Sequence, residues 1–396
     1  MKRSNEYMLC ELAGLPYLLP FGQGIADHRR GIRINPTGAY LWELLKCHRS
    51  EETLLSLCAA HFHAQEDELP GLSRDIRQFL AILDSYGMIQ RELSDIGPKD
   101  SHPWGYVEIG GLVLELKGPH TAFSQQFSSF AVKEPSCVHQ TVTVLDRRPP
   151  QRANGQVLLR NEELILMENQ EEYILLFPSF HQLWEGRLTK DGSLFTFFCR
   201  PPHTEEFREN LFHAVRLGFL YLAQRHHMAV IHSASLLYRG RAWLFSGPSG
   251  AGKSTHTELW HKLFDTPLLN GDLNLLAPRK GTATVLGLPW CGTSGISQNC
   301  SFPLGGIILL KQADTNRVET LSPDQKQLLV LQRLISPSWT PGQQQENLTL
   351  SGSIASSGLV CRLYCTREAQ AADTMRHAID CYLESGQIPR SSNSES

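Results

Sequence analysis

The chain has no long apolar run, no excess of charge of one sign, no paired-cysteine motif and no internal repeat, and each absence removes a class of protein. No uninterrupted hydrophobic stretch approaches the ~20 residues a membrane helix needs. Met1-Lys2-Arg3-Ser4-Asn5-Glu6 is not followed by the apolar segment of a secretory signal. A net charge of -3 over 396 residues offers little to bulk nucleic acid or to an anionic membrane surface. The ten cysteines include no CxxC, and the nearest couple, Cys361 and Cys365, lacks the spacing of a zinc knuckle or a redox motif. Reduced thiols in a soluble cytoplasmic protein are expected. The length exceeds that of a usual single domain, so two or three domains are expected, each with its own core.

What is present is more specific. Gly247-Pro248-Ser249-Gly250-Ala251-Gly252-Lys253-Ser254 satisfies every fixed position of the phosphate loop G-x-x-x-x-G-K-[ST], the Walker A motif. A triphosphate needs successive backbone N–H groups aimed inward, no side chain in the way and a helix N-terminus behind them. The three glycines supply bare backbone, Lys253 a point charge for the outer phosphates, and Ser254 a hydroxyl for Mg2+, with Thr255 next to them. Ala242-Trp243-Leu244-Phe245 reads as a buried strand before the loop, and Thr257 to Leu263 as the helix after it. A chance glycine-rich turn would need neither the Lys-Ser pair nor that context.

The first stretch, residues 1–93, reads as a unit. Tyr7 to Leu12 and Pro16 to Pro20 look like short strands turned at Gly14, and Ile32-Arg33-Ile34 alternates. Asn35 suits a helix cap and Pro36 the first helical position, with Tyr40, Leu41, Leu44 and Leu45 on the buried side. A second helix begins near Ser50, and a third presents Ile76, Phe79, Leu80 and Leu83 on one face and stops at Gly87. The run from Arg33 to Leu45, the second helix, and Phe79 to Ile89 ending in Tyr86-Gly87-Met88-Ile89 resemble the PqqD family of peptide chaperones over about residues 5 to 92. The resemblance implies a winged-helix-like module that takes an extended leader peptide as an added strand beside its last helix. The alternative is a module used for packing or dimerisation.

Ser94 to Pro103 concentrates turn and charged residues and marks a linker. Residues 104–203 are strand-rich, with a hairpin expected between Leu164–Met167 and Tyr173–Phe177, although no glycine marks its turn. The Arg- and Pro-rich loop from Arg147 to Gly155 reads as a solvated excursion. A helix from Glu205 to Arg225 buries Phe207, Leu211, Val215, Phe219 and Leu222 and leads into the strand Val230-Ile231-His232. Residues 386–396 are expected to be a disordered tail.

Beyond the phosphate loop, Asn270-Gly271-Asp272 sits between two apolar runs, so Asp272 is either a carboxylate delivered to the nucleotide or part of an Asn-Gly turn. His232, the phosphate loop, Asn270-Gly271-Asp272 and Gly287-Leu288-Pro289-Trp290-Cys291-Gly292-Thr293 resemble, in order, the HPr kinase-like family, relatives of the nucleotide-dependent phosphoenolpyruvate carboxykinases, over about Phe207 to Leu310. That family has a histidine on the strand before the loop and two adjacent aspartates after it, one of them the general base. His232 and Asp272 match, and Gly271 stands in place of the first aspartate. The resemblance implies catalytic roles for Lys253, Asp272 and His232, nucleotide contacts from Gly247 through Thr255, and Mg2+ at Ser254 and Asp272. The loop from Trp290 to Gly295, with Thr293 and Ser294, either closes over the acceptor or is a plain turn. Arg317 and Arg333 receive no role.

The expected fold class is thus multidomain, α/β and α+β: the PqqD-like module (1–93), a strand-rich region (104–203), and an HPr kinase-like phosphate-loop domain (204–385). The combined resemblances imply an ATP-dependent kinase that phosphorylates a serine or threonine of a ribosomally made precursor peptide. Its partners would be the leader peptide and other peptide-modifying enzymes, with no nucleic acid and no membrane; homo-oligomerisation stays open. A small-molecule or carboxykinase-like phosphotransferase, and a non-catalytic protein in which nucleotide gates peptide binding, remain as alternatives.

Overall fold

The computed structural model describes the chain except residues 5, 22–29, 48, 87, 91–102, 150–152, 280, 293–294 and 390–396. Gly87, most of the linker, the centre of the 147–155 loop, Thr293, Ser294 and most of the tail lie outside the described residues. Among the described residues no helix is long and apolar enough to cross a membrane.

The N-terminal module holds β1 (Lys2–Arg3), β2 (Tyr7–Leu12), β3 (Leu15–Pro20), β4 (Ile32–Arg33), α1 (Pro36–Leu44), α2 (Glu51–Phe62), α3 (Leu69–Ser85) and β5 (Ile89–Gln90). β2, β3 and β4 form a three-stranded sheet, and β1 pairs with β5, tying the two ends of the module together. Asn35 caps α1 as expected, its Oδ1 accepting from the Gly38 amide at 2.7 Å, and Ser50, where the second helix is expected to begin, caps α2, its Oγ accepting from the Thr53 amide at 3.1 Å. Leu41, Trp42, Ile76, Leu80 and Leu83 close the small core.

A nine-stranded sheet follows, from β6 (Pro103–Ile109), β7 (Leu112–Lys117), β8 (Ala131–Val132), β9 (Gln140–Leu145), β10 (Gln156–Arg160), β11 (Ile165–Glu168), β12 (Glu172–Leu176), β13 (Leu183–Thr189) and β14 (Leu194–Cys199), ordered β10-β11-β12-β13-β14-β9-β7-β6-β8. The β11–β12 hairpin forms as expected, and Asn169 does the work of the missing glycine: its Oδ1 accepts from the amides of Glu171 and Glu172, both at 2.9 Å. Helix α4 (Glu205–Arg225), capped by Thr204, packs Phe207, Leu211, Val215, Phe219 and Leu222 into the core that covers this sheet.

The last set comprises β15 (Ala229–Tyr238), β16 (Arg241–Ser246), α5 (Lys253–Phe264), β17 (Leu268–Asn270), β18 (Leu273–Arg279), β19 (Thr282–Leu286), β20 (Ser301–Gln312), β21 (Arg317–Thr320), α6 (Pro323–Leu331), α7 (Pro341–Ala355), β22 (Leu359–Cys365) and α8 (Ala369–Ser385). β15, β16, β20, β19 and β18 pair in turn until β18 meets β15 again. Within this set β16, β20 and β22 are parallel, the arrangement that places a ligand crevice at the carboxyl ends of strands. The α5–α8 face has its own core around Trp243, Phe245, Trp260 and Met375.

Candidate functional site

The phosphate loop leaves β16 at its carboxyl end and enters α5, so strand, loop and helix follow in the order a phosphate cradle requires. Gly250 (φ +75°) and Gly252 (φ +97°) take left-handed backbone that a side chain would strain. Gly247 is buried against Ala251 and the Leu310 carbonyl, where a Cβ would come within 2.9 and 3.2 Å. Pro248, Ser249, Gly250, Ser254 and Thr255 are exposed, and Gln312 Nε2 holds the Gly250 carbonyl at 2.9 Å. The Lys253 ammonium folds back over the loop toward the carbonyls of Gly247 and Pro248, each at 3.5 Å. Burial holds it below the usual lysine range; the charge of Arg333 adds to this and Asp272 opposes it.

His232 and Asp272 come together at the same point, and the sheet explains why. One edge of β15 pairs first with β18 and then with β17, both running the same way, so Asn270-Gly271-Asp272 is a break within one line of strand pairing and not a hairpin. The Ser233 amide donates to the Asp272 carbonyl at 2.9 Å. A buried polar network secures the break: Asn274 Nδ2 donates to the Ser233 carbonyl at 2.7 Å, Ser235 Oγ to Asn274 Oδ1 at 2.7 Å, and the Asn270 amide to Ser235 Oγ at 3.1 Å. On the other edge, Ser246 Oγ, the last residue before the loop, donates to the His232 carbonyl at 2.6 Å, and the His232 amide donates to the carbonyl of Arg333 at 3.0 Å. His232, the loop, Asp272 and Arg333 are thus gathered around the midpoint of one strand.

The side chains of His232 and Asp272 meet at 2.8 Å, Nε2 to Oδ1, with 33% and 36% of their surfaces still open to solvent. The hydrogen bond from His232 holds the Asp272 carboxyl below the usual range; burial opposes it, and the charges of His232, Lys253 and Arg216 assist. An ionised carboxylate only accepts, so His232 Nε2 carries the proton of this bond.

The loop after β19 closes beside the pair. Gly292 has φ +59°, and a Cβ there would stand 2.9 Å from Asp272 Oδ2, so only glycine fits against the carboxylate. Trp290 anchors this loop to α4: its Nε1 donates to the Phe212 carbonyl at 2.8 Å, and its ring lies 5.6 Å from Phe212 and 5.3 Å from Phe219. Arg216, between those two phenylalanines on α4, lies within electrostatic reach of Asp272.

Sequence reasoning singled out Lys253, Ser254, His232 and Asp272: the structure brings His232 and Asp272 into contact and sets Lys253, with Ser254 next to it at the start of α5, within electrostatic reach of the carboxylate. It passed over Arg216, Arg333, Ser233, Ser235 and Asn274. Motif spacing carries no trace of these five, because each reaches the site through strand or helix packing across the chain. Behind the loop, His256 on α5 is buried, with Nε2 3.1 Å from Cys365 Sγ of β22 and its ring stacked near Phe245. All ten cysteines are free thiols.

In the N-terminal module a groove of about 720 Å³ runs between the start of α1 and α3, with Phe62, Leu72, Phe79 and Ile82 among its walls. Met8 on β2 and Leu15 on β3 are exposed apolar side chains of the small sheet.

Residues 25–89 match the family described as Coenzyme PQQ synthesis protein D (PqqD). The match falls inside the module and supports an N-terminal peptide-recognition role for it. No curated protein matches the chain. Among solved structures, the Hpr(Ser) kinase/phosphatase from Coxiella burnetii is similar at 13% identity over 40% of this chain and 96% of that one, with a TM-score of 0.21. A likeness that slight leaves the chemistry to be argued from the residues themselves.

Proposed function

We propose that this chain is an ATP-dependent phosphotransferase that phosphorylates a serine or threonine hydroxyl of a ribosomally made precursor peptide captured by its N-terminal module. The observation that carries the reading is the His232–Asp272 pair, 2.8 Å apart and part-exposed, set beside the lysine of a complete phosphate loop.

In this reading the backbone of Gly247 to Ser254 and the Lys253 ammonium bind the phosphates of ATP, with Thr255 next to them at the start of α5. Ser254 and Asp272 would hold Mg2+. Among the described residues no three His, Cys, Asp or Glu side chains cluster as a metal cage. That sparse donor set suits an ion that keeps its waters and shares phosphate oxygens. Magnesium, when bound, neutralises charge on the phosphates.

Transfer breaks the bond between the γ-phosphorus and the bridging oxygen, whose electron pair leaves with ADP, and forms a bond from the acceptor hydroxyl oxygen to that phosphorus. The hydroxyl proton passes to the Asp272 carboxylate, which His232 orients through Nε2–H. The N-terminal module raises the local concentration of the acceptor, so contacts at the crevice need only position a hydroxyl.

Gly271 favours a second reading, nucleotide-gated peptide binding without transfer, because it leaves a single carboxylate in the strand break. Mass spectrometry separates the two. Candidate precursor peptides from the neighbouring genes are incubated with the protein, ATP and Mg2+, with Lys253→Ala as control. A gain of one phosphate that requires Lys253 is expected; ATP and peptide binding without any gain would move the chain to the gating reading.

A further inference from the structure

We propose that Arg216 is a second side-chain cation of the transfer site, reaching from α4 to hold the phosphoryl group as it passes between nucleotide and acceptor, on the side away from the phosphate loop. The assignment rests on the phosphotransfer reading above and adds a residue that neither motif contains.

The geometry comes from the packing of α4. Trp290 is clamped on this helix by its hydrogen bond to the Phe212 carbonyl and by ring contacts with Phe212 and Phe219. Arg216 follows Phe212 by four residues and precedes Phe219 by three, so all three share one face of the helix. Two residues beyond Trp290, Gly292 lies against Asp272. Helix, tryptophan, loop and carboxylate therefore form one packed chain of contacts, and Arg216, on the helix that begins it, lies within electrostatic reach of the Asp272 at its other end.

The side chain is also in an unusual state for an arginine within electrostatic reach of a carboxylate. Among the described residues its guanidinium makes no hydrogen bond and no ion pair, although it is only part-exposed and feels the Asp272 charge. The carboxylate instead spends Oδ1 on His232. A half-buried guanidinium with its donors unspent is costly unless an anion completes it, and its planar fork matches phosphoryl oxygens. The loop lysine approaches that group from the nucleotide side, and Arg216 reaches it from α4. Charge on the equatorial oxygens of a loose transition state would then be met from both sides, as an arginine supplied in cis does in other phosphate-loop enzymes.

The test uses the full-length protein and its Arg216→Met and Arg216→Lys variants, with melting curves to show that each is folded. Binding of ATP, of ADP, and of ADP with aluminium fluoride, a planar mimic of the transferring group, is measured by calorimetry in Mg2+. For Arg216→Met we expect ADP affinity within about twofold of wild type. The extra affinity that aluminium fluoride confers on ADP should fall roughly tenfold or more, with the ATP-over-ADP preference falling alongside it. Arg216→Lys should recover part of both, since it keeps the charge but loses the fork, and it carries the test if the methionine variant does not fold. Equal losses for ADP and ADP–aluminium fluoride would make Arg216 a structural residue and overturn the assignment. So would variants that match wild type with every ligand. A wild-type protein that binds neither nucleotide removes the kinase reading, and Arg216 with it; that result is distinct from one in which only the variants' preferences stay unchanged.

Discussion

Asp272 is asked to do more than any other side chain near the phosphate loop. It accepts from His232, lies within reach of the charges of Lys253 and Arg216, and has Gly292 packed against its second oxygen. With Gly271 before it, proton removal and any magnesium contact fall to the one carboxylate. Asp272→Asn keeps the shape and an amide oxygen that accepts the same hydrogen bond from His232 Nε2–H, but removes the base and the negative charge. Turnover should fall by about a hundredfold or more, the usual worth of a positioned base. ATP affinity should change only a few-fold, since the phosphate loop is untouched. Steady-state kinetics set beside direct ATP titration decide it: a fall in affinity as large as the fall in turnover would make Asp272 a nucleotide-binding residue only. The phosphate loop was legible because its chemistry is spelled in consecutive residues. Arg216 was not, because a lone arginine between two phenylalanines on an amphipathic helix looks like any helix position until Trp290, more than one strand away, is seen to clamp that face.

At the scale of elements, the helix from Glu205 to Arg225 could be read end to end from its Thr204 cap and its three-and-four apolar spacing. Asn270-Gly271-Asp272 could not, since a turn and a strand break share the same local sequence and the choice is made by β15, whose residues lie far upstream. The same dependence on distant partners explains why the Ser233–Ser235–Asn274 network stayed hidden. One joint between elements has a measurable pH signature. His256 ties α5, the helix behind the phosphate loop, to β22 through Cys365, and burial pushes its imidazole down to about 4. The folded protein keeps this ring neutral while the unfolded chain takes up a proton below its ordinary value near 6.5. Stability from this group is therefore complete above about pH 6.5 and is lost as pH falls toward 4, at up to ~1.4 kcal/mol per pH unit. Urea unfolding between those limits should show wild type weakening faster with acid than His256→Gln, which has no proton to take up; parallel slopes would mean that the imidazole does not stay neutral in the fold.

For the molecule as a whole, the reading depends on two separate sites: a recognition module whose groove and small sheet belong to residues before 90, and a phosphate loop with the His232–Asp272 pair, all from residues after 204. Nothing in the groove is shared with the phosphate loop, and the hydrophobic cluster that closes the module contains no residue of β15, β16 or α5. Independent sites should respond independently to substitution. Lys253→Ala removes the loop's ammonium without touching any module contact, so phosphoryl transfer should disappear while leader-peptide affinity stays within about twofold of wild type. Adding saturating ATP to wild type should leave that affinity similarly unchanged if the module serves only as a tether, because a ligand shifts an equilibrium only by its differential affinity for the two states. Fluorescence titration of a labelled leader peptide, with and without ATP and in both proteins, measures the affinities, and mass spectrometry of the precursor peptide reads the transfer. A leader affinity that drops with Lys253, or rises severalfold with ATP in wild type alone, would show that the two sites are energetically coupled. The gating reading that Gly271 keeps open would then gain over the tethered kinase.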